Sequence, residues 1–112
     1  MSEITFDVPF LGSRNTAHRL CLAILAGLAD GTVRRVLVKF SGISGVSHSF
    51  ADELLSPLSE QLGRALAKRV AFVNCTNSVE RGFGVVADMH GLQLPSFVRR
   101  SKEPGGIVSV EI

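Results

Sequence analysis

VLVKFSGISGVSHSFADELL, residues 36–55, runs from an apolar strand through a loop of small residues into a helix, and its reading decides the fold. Val36, Leu37, Val38 and Phe40 favour a strand, with Lys39 the one charge among them. Near-continuous apolar runs of this kind suit a strand buried on both faces of a parallel or mixed sheet. From Ser41 to His48 the loop holds only Ser, Gly, Ile, Val and His. A helix is expected from Ser49, its cap, with Asp52 three residues on as a relative of the capping box. Small hydroxyl residues at a helix start leave backbone N–H groups facing solvent at the positive end of the helix dipole. Such a place accepts an anion or a phosphorylated serine. Ser47, His48, Ser49, Phe50 and Asp52 are therefore the candidate binding residues.

Working outward, Ile4, Phe6 and Val8 alternate with Thr5 and Asp7, a half-buried strand ended by Pro9. Ser13 is placed to cap a helix whose apolar residues Ala17, Leu20, Cys21, Ile24, Leu25 and Leu28 recur at helical spacing, and Asp30-Gly31 ends it. Downstream, Phe50, Leu54, Leu58, Leu62 and Leu66 form the stripe of the second helix, which kinks at Pro57 or restarts there with Ser56 as a new cap. VAFVNC at 70–75 is a third buried strand, and Asn77 or Ser78 caps a short helix reaching His90-Gly91. This order of strands and helices, with short connections, predicts an α/β layer fold over residues 1–94. Residues 95–106, with two prolines, two glycines and four charges, read as a mobile connector. Val108, Val110 and Ile112 then alternate with Ser109 and Glu111, a C-terminal strand (107–112) expected to add beside residues 4–8 or to a second copy as a homodimer.

The totals narrow the function classes. A chain of 112 residues makes one domain with a real core, and its 46% apolar composition is that of a globular protein. Its net charge of +2 comes from scattered basic residues, with one cluster at Arg99, Arg100 and Lys102, and Trp and Tyr are absent. Nucleic-acid binders concentrate charge and interleave aromatics with it, so no nucleic-acid partner is expected. The longest apolar stretch, LCLAILAGLA at 20–29, is half of the roughly 20 residues that cross a bilayer, so no membrane association is expected either. Without a charged N-terminal region before an apolar signal core, and with two cysteines in apolar surroundings, the expected compartment is a reducing cytoplasm.

Other constellations are weaker. Cys75-Thr-Asn-Ser-Val-Glu-Arg81 matches the Cys-x5-Arg spacing of a cysteine phosphatase loop between a buried strand and a helix. It lacks the glycines that turn every amide inward, and no histidine precedes the cysteine. His48 beside two serines has no orienting acid in sequence, which argues against nucleophilic catalysis. Gly82-Phe83-Gly84 lacks the third glycine of a dinucleotide fingerprint. His18 and His90 have no partner at metal-ligand spacing, and no cofactor is expected.

LVKFSGISGVSHSFADELLSPL resembles the strand–loop–helix signature of STAS domains, the fold of anti-sigma factor antagonists. In that family a strand ends in an acidic-Leu-Ser-Gly-Val pattern, and Asp-Ser-Ser-Gly opens the next helix. Ser41, Gly42 and Ile43 match the first part, and Ser49 falls where the family carries its phosphorylatable serine. VAFVNCTNSVERGFGVVADMHGL resembles the strand and helix that follow. Ser-Phe-Ala-Asp-Glu-Leu at 49–54 is similar to a divergent STAS-like group of small bacterial proteins that accompany histidine-kinase-type ATPases. The resemblance spans roughly residues 15 to 94 and implies a mixed sheet of four to five strands against about three helices. It also implies a non-enzymatic regulatory domain that binds a GHKL-type ATPase/serine kinase, with Ser49, or secondarily Ser47, as phosphoacceptor. This chain departs from the pattern at Lys39, Ser47, His48 and Phe50, where the family has an acidic residue, Asp, Ser and Gly. The alternatives are a nucleotide- or anion-binding module at residues 47–50 and a phosphatase at Cys75 and Arg81.

Overall fold

Two apolar runs, Val36–Val38 and Val70–Val73, lie side by side at the centre of a parallel sheet, because neither carries a polar side chain that would need an open face. The computed structural model describes residues 10–98 and 107–111. In chain order the elements are β1 (Phe10–Leu11), α1 (Arg14–Leu28), β2 (Arg35–Lys39), β3 (Gly45–Val46), α2 (His48–Leu62), α3 (Leu66–Arg69), β4 (Val70–Val73), α4 (Asn77–His90), β5 (Ser96–Val98) and β6 (Ile107–Glu111). A 3-10 turn over Gly63–Ala65 joins α2 to α3. Four strands form a sheet in the order β5-β4-β2-β6, and the short β1 and β3 pair separately. All these pairings are parallel.

Strand alternation divides the core. Val36, Val38, Val70 and Phe72 point to the helices, where they meet Leu20, Ile24, Phe50, Leu54, Leu58 and Phe83. Leu37, Ala71 and Val73 form a second apolar layer on the opposite side of the sheet. Phe72 is the hub of the ring cluster, with centroids 4.9 Å from Phe40, 5.0 Å from Phe83 and 5.9 Å from Phe97. Such tilted and edge-on pairs place ring edges against ring faces.

Several expectations hold and others shift. Ser13 caps α1, its side chain accepting from the Thr16 amide, and Ala17, Leu20, Cys21 and Ile24 are buried as the spacing predicts. The cap of the second helix lies two residues earlier than expected: it is Ser47, not Ser49, so Asp52 lies outside the first turn and forms no capping box. Pro57 lies inside an uninterrupted α2, held by Leu54, Leu55 and Leu58, all fully buried around it. Thr76, rather than Asn77 or Ser78, caps α4, and Gly91 closes that helix in the left-handed region at φ 65°.

Ser96–Val98, assigned by composition to the connector, is a strand instead. Three residues are too few to show alternation, but here the backbone finds partners: β5 runs parallel to β4, the Asn74 amide donates to the Val98 carbonyl at 2.9 Å, and the Ser96 hydroxyl donates to the Ala67 carbonyl. Strand β6 lies on the other flank of β2, from Arg35 opposite Ile107 to Lys39 opposite Glu111. Residues 4–8, read as a strand and as a neighbour for β6, lie outside the described residues.

Candidate functional site

The turn between β2 and α2 is built by backbone needs first. Ile43 is buried and its amide donates back to the Phe40 carbonyl, folding the loop over the end of β2. The chain then passes through β3, beside β1, and the Ser47 amide donates to the Leu11 carbonyl at 2.8 Å. Ser47 Oγ accepts from the Phe50 amide at 3.0 Å and donates to the Gly12 carbonyl at 3.2 Å. Ser47 thus caps α2 and ties it to the segment before α1.

The five candidate binding residues therefore part company. Ser47 is consumed in structure. Phe50 is fully buried among the core rings, 6.4 Å from Phe83, so its side chain is not offered to a partner. Asp52 faces α1: it accepts from Ser56 Oγ at 3.0 Å and lies 4.0 Å from Arg14, which also reaches Glu53 at 3.5 Å. His48 and Ser49 remain at the helix start, His48 exposed and Ser49 half-buried. As the first two residues of α2 they carry amides with no intrahelical acceptor, at the positive end of the dipole. The Ser49 hydroxyl makes no hydrogen bond among the described residues.

His48 turns toward α4, its ring edge-on to His90 with centroids 5.7 Å apart. Together with Val46 it faces Ser78, Arg81, Gly82 and Val85 of α4 across an open groove of about 300 Å3. Gly82 permits this close approach, because a Cβ there would lie 2.9 Å from Val46 Cγ2. Val85 and Met89, one turn apart on α4, are 49% and 63% exposed. Phe10, 52% exposed, lies over Gly45 beside Ser78. Sequence reasoning missed these apolar residues. The available signal was on α4, where Val79, Phe83, Val86 and Ala87 fill the buried stripe and leave Val85 and Met89 off it. Phe10 had no comparable signal, since its exposure depends on the pairing of β1 with β3.

The Cys75 and Arg81 spacing does not become a phosphatase loop. Burial pushes the Cys75 thiol up to about 12, with nearby Glu80 adding to the effect, so the group is a protonated thiol at the edge of the core. Thr76, directly after it, is committed to capping α4, and Arg81 stands exposed on the helix, lining the groove with His48. A nucleophilic cysteine needs the opposite environment, electropositive and accessible. Among the described residues no three His, Cys, Asp or Glu side chains gather as a metal site, and no helix is long and apolar enough to cross a membrane.

A family model described as a STAS-like domain of unknown function (DUF4325) matches residues 16–80. No curated protein and no solved structure matches the chain. The matched span is more than half of the 112 residues and holds α1 from its third residue, β2, the loop, α2, β4 and the first turn of α4. On that match, and on the α/β architecture just described, the chain belongs to the family of STAS-like domains of unknown function.

Proposed function

We propose that this STAS-like domain is a non-enzymatic regulatory module of the bacterial cytoplasm that binds a GHKL-type ATPase/serine kinase through the start of α2, with Ser49 as the phosphoacceptor. One observation carries the choice of Ser49: its hydroxyl is unengaged at the second position of a helix, next to exposed His48, whereas Ser47 is held in two hydrogen bonds. A phosphate on Ser47 would break the cap. A phosphate on Ser49 would add roughly −1.5 to −2 charge at the positive end of α2, where a helix tolerates it. The fold would stay intact while the docking surface changed sign, which is what a reversible switch needs.

The test is co-expression with a GHKL-type ATPase encoded beside this chain, followed by intact-mass measurement. One phosphate on the natural chain and none on Ser49→Ala is the expected result. Phosphate that persists in Ser49→Ala, or is absent from both, removes the switch.

A further inference from the structure

We propose that the exposed apolar strip across β1, β3 and α4 is the docking surface for an acidic amphipathic helix of a partner protein. The inference rests on the preceding reading for the presence of a partner at this end of α2, and it adds what that partner presents. Single exposed apolar side chains are ordinary, but contiguous ones around a groove mark an interaction site. Here they are contiguous: the Phe10 ring covers Gly45, Val46 follows Gly45 in β3, Val46 and Val85 share the groove, and Met89 extends the row by one turn. Gly82 lets the Val46 side chain lie against α4, so the groove carries an apolar lining where β3 meets the helix.

The occupant is a helix. Val85 and Met89 sit at i and i+4 on α4, a row into which the side chains of a second helix pack. Among the described residues β1 and β3 offer an added strand only two residues each along a free edge. The occupant is also acidic. Arg81, His48 and Ser78 are the polar groups along the groove, and no carboxylate lines it among the described residues. Asp88, exposed three residues after Val85, lines a separate pocket with Gly84, Ala87 and Gly91, and Asp52 and Glu53 face Arg14. Carboxylates on the partner helix would meet a guanidinium, an imidazole and a hydroxyl, and charge-assisted bonds of this kind fix register and speed encounter. A phosphate on Ser49, adjacent to His48, would then repel the same carboxylates.

Selection from a displayed library of helical peptides, with a fixed Leu row and randomised polar positions, tests the proposal against the intact chain. The enriched peptides should carry net negative charge. They should bind Arg81→Glu and Val85→Asp at least tenfold more weakly, while both variants, changed at exposed positions, keep the natural melting curve. Enrichment of neutral or basic helices, equal binding to Arg81→Glu, or no enrichment overturns the proposal. The enriched peptide also separates this inference from the one beneath it. If Ser49→Asp binds it as well as the natural chain does, the docking surface stands and the switch falls. If the ATPase phosphorylates Ser49 but no acidic helix binds, the phosphoacceptor stands and the docking surface falls.

Discussion

Replacing Ser47 with alanine separates the two serines at the start of α2. The variant loses the cap bond to the Phe50 amide and the bond to the Gly12 carbonyl. An N-cap serine is worth about 0.5–2 kcal/mol, and the second, exposed hydrogen bond adds about 0.5–1.5 kcal/mol. Because the two share one hydroxyl, the expected loss is about 1–3 kcal/mol rather than the full sum. For a chain of this length the unfolding entropy is roughly 0.24 kcal/mol/K, so each kcal/mol lowers the midpoint by about 4 °C. Calorimetry should therefore place Ser47→Ala about 4–12 °C below the natural chain. Ser49→Ala removes no bond among the described residues and should stay within about 0.5 kcal/mol of it. Ser47→Asp should recover only the cap part of the loss, since a carboxylate caps and suits the dipole but has no proton to donate to the Gly12 carbonyl. A larger loss at Ser49→Ala than at Ser47→Ala would refute the assignment and put the cap back at Ser49.

The two helical glycines of α4 should respond in opposite directions. Gly84→Ala, with nothing within 4 Å of its Cβ, should gain about 0.5–1 kcal/mol in urea unfolding. Gly82→Ala would press on Val46, and an overpacking cost of about 1–3 kcal/mol should cancel or exceed the same gain. Cys75, its thiol held up to about 12, should react with a disulfide reagent at pH near 8 at least about a hundredfold more slowly than in urea. The unfolded chain releases that proton from about pH 8.5 while the folded chain keeps it toward 12, so stability is full below the lower value and declines above it. Cys75→Ala should flatten that decline, measured as the urea midpoint against pH. Truncation after Ser101 removes β6 and bares the edge of β2, so the shortened chain should unfold earlier or self-associate in size-exclusion chromatography. An unchanged, monomeric midpoint would show that β6 adds nothing to the sheet.

The α/β class, both central strands, the Ser13 cap and the buried stripe of α1 were legible because each is a local pattern with one structural outcome. A run such as VAFV has few ways to satisfy itself except inside a sheet, and all four residues are buried. The resemblance gave the order of β2, the small-residue loop and α2 for a similar reason, since the three follow one another in the sequence. The identity of the cap was less legible. Ser47 and Ser49 are both good caps, and the choice between them is made by Leu11 and Gly12, 35 or more residues away, whose carbonyls accept from Ser47.

What the amino-acid sequence determined alone is the layering: the two central strands, the three long helices, and which stripe of α1 and α2 faces inward. Those follow from periodicity and from the cost of burying polar groups, and both act over a few residues. Tertiary structure decided everything that depends on two distant segments meeting. It made Ser96–Val98 a strand by giving it β4 as a neighbour, and it turned Asp52 toward Arg14 and away from the site. It also brought Phe10, Val46, His48, Arg81 and Val85 to one face by packing β3 against Gly82. A side chain's partners across the fold are set by backbone approach distances, and no local spacing in the chain encodes them.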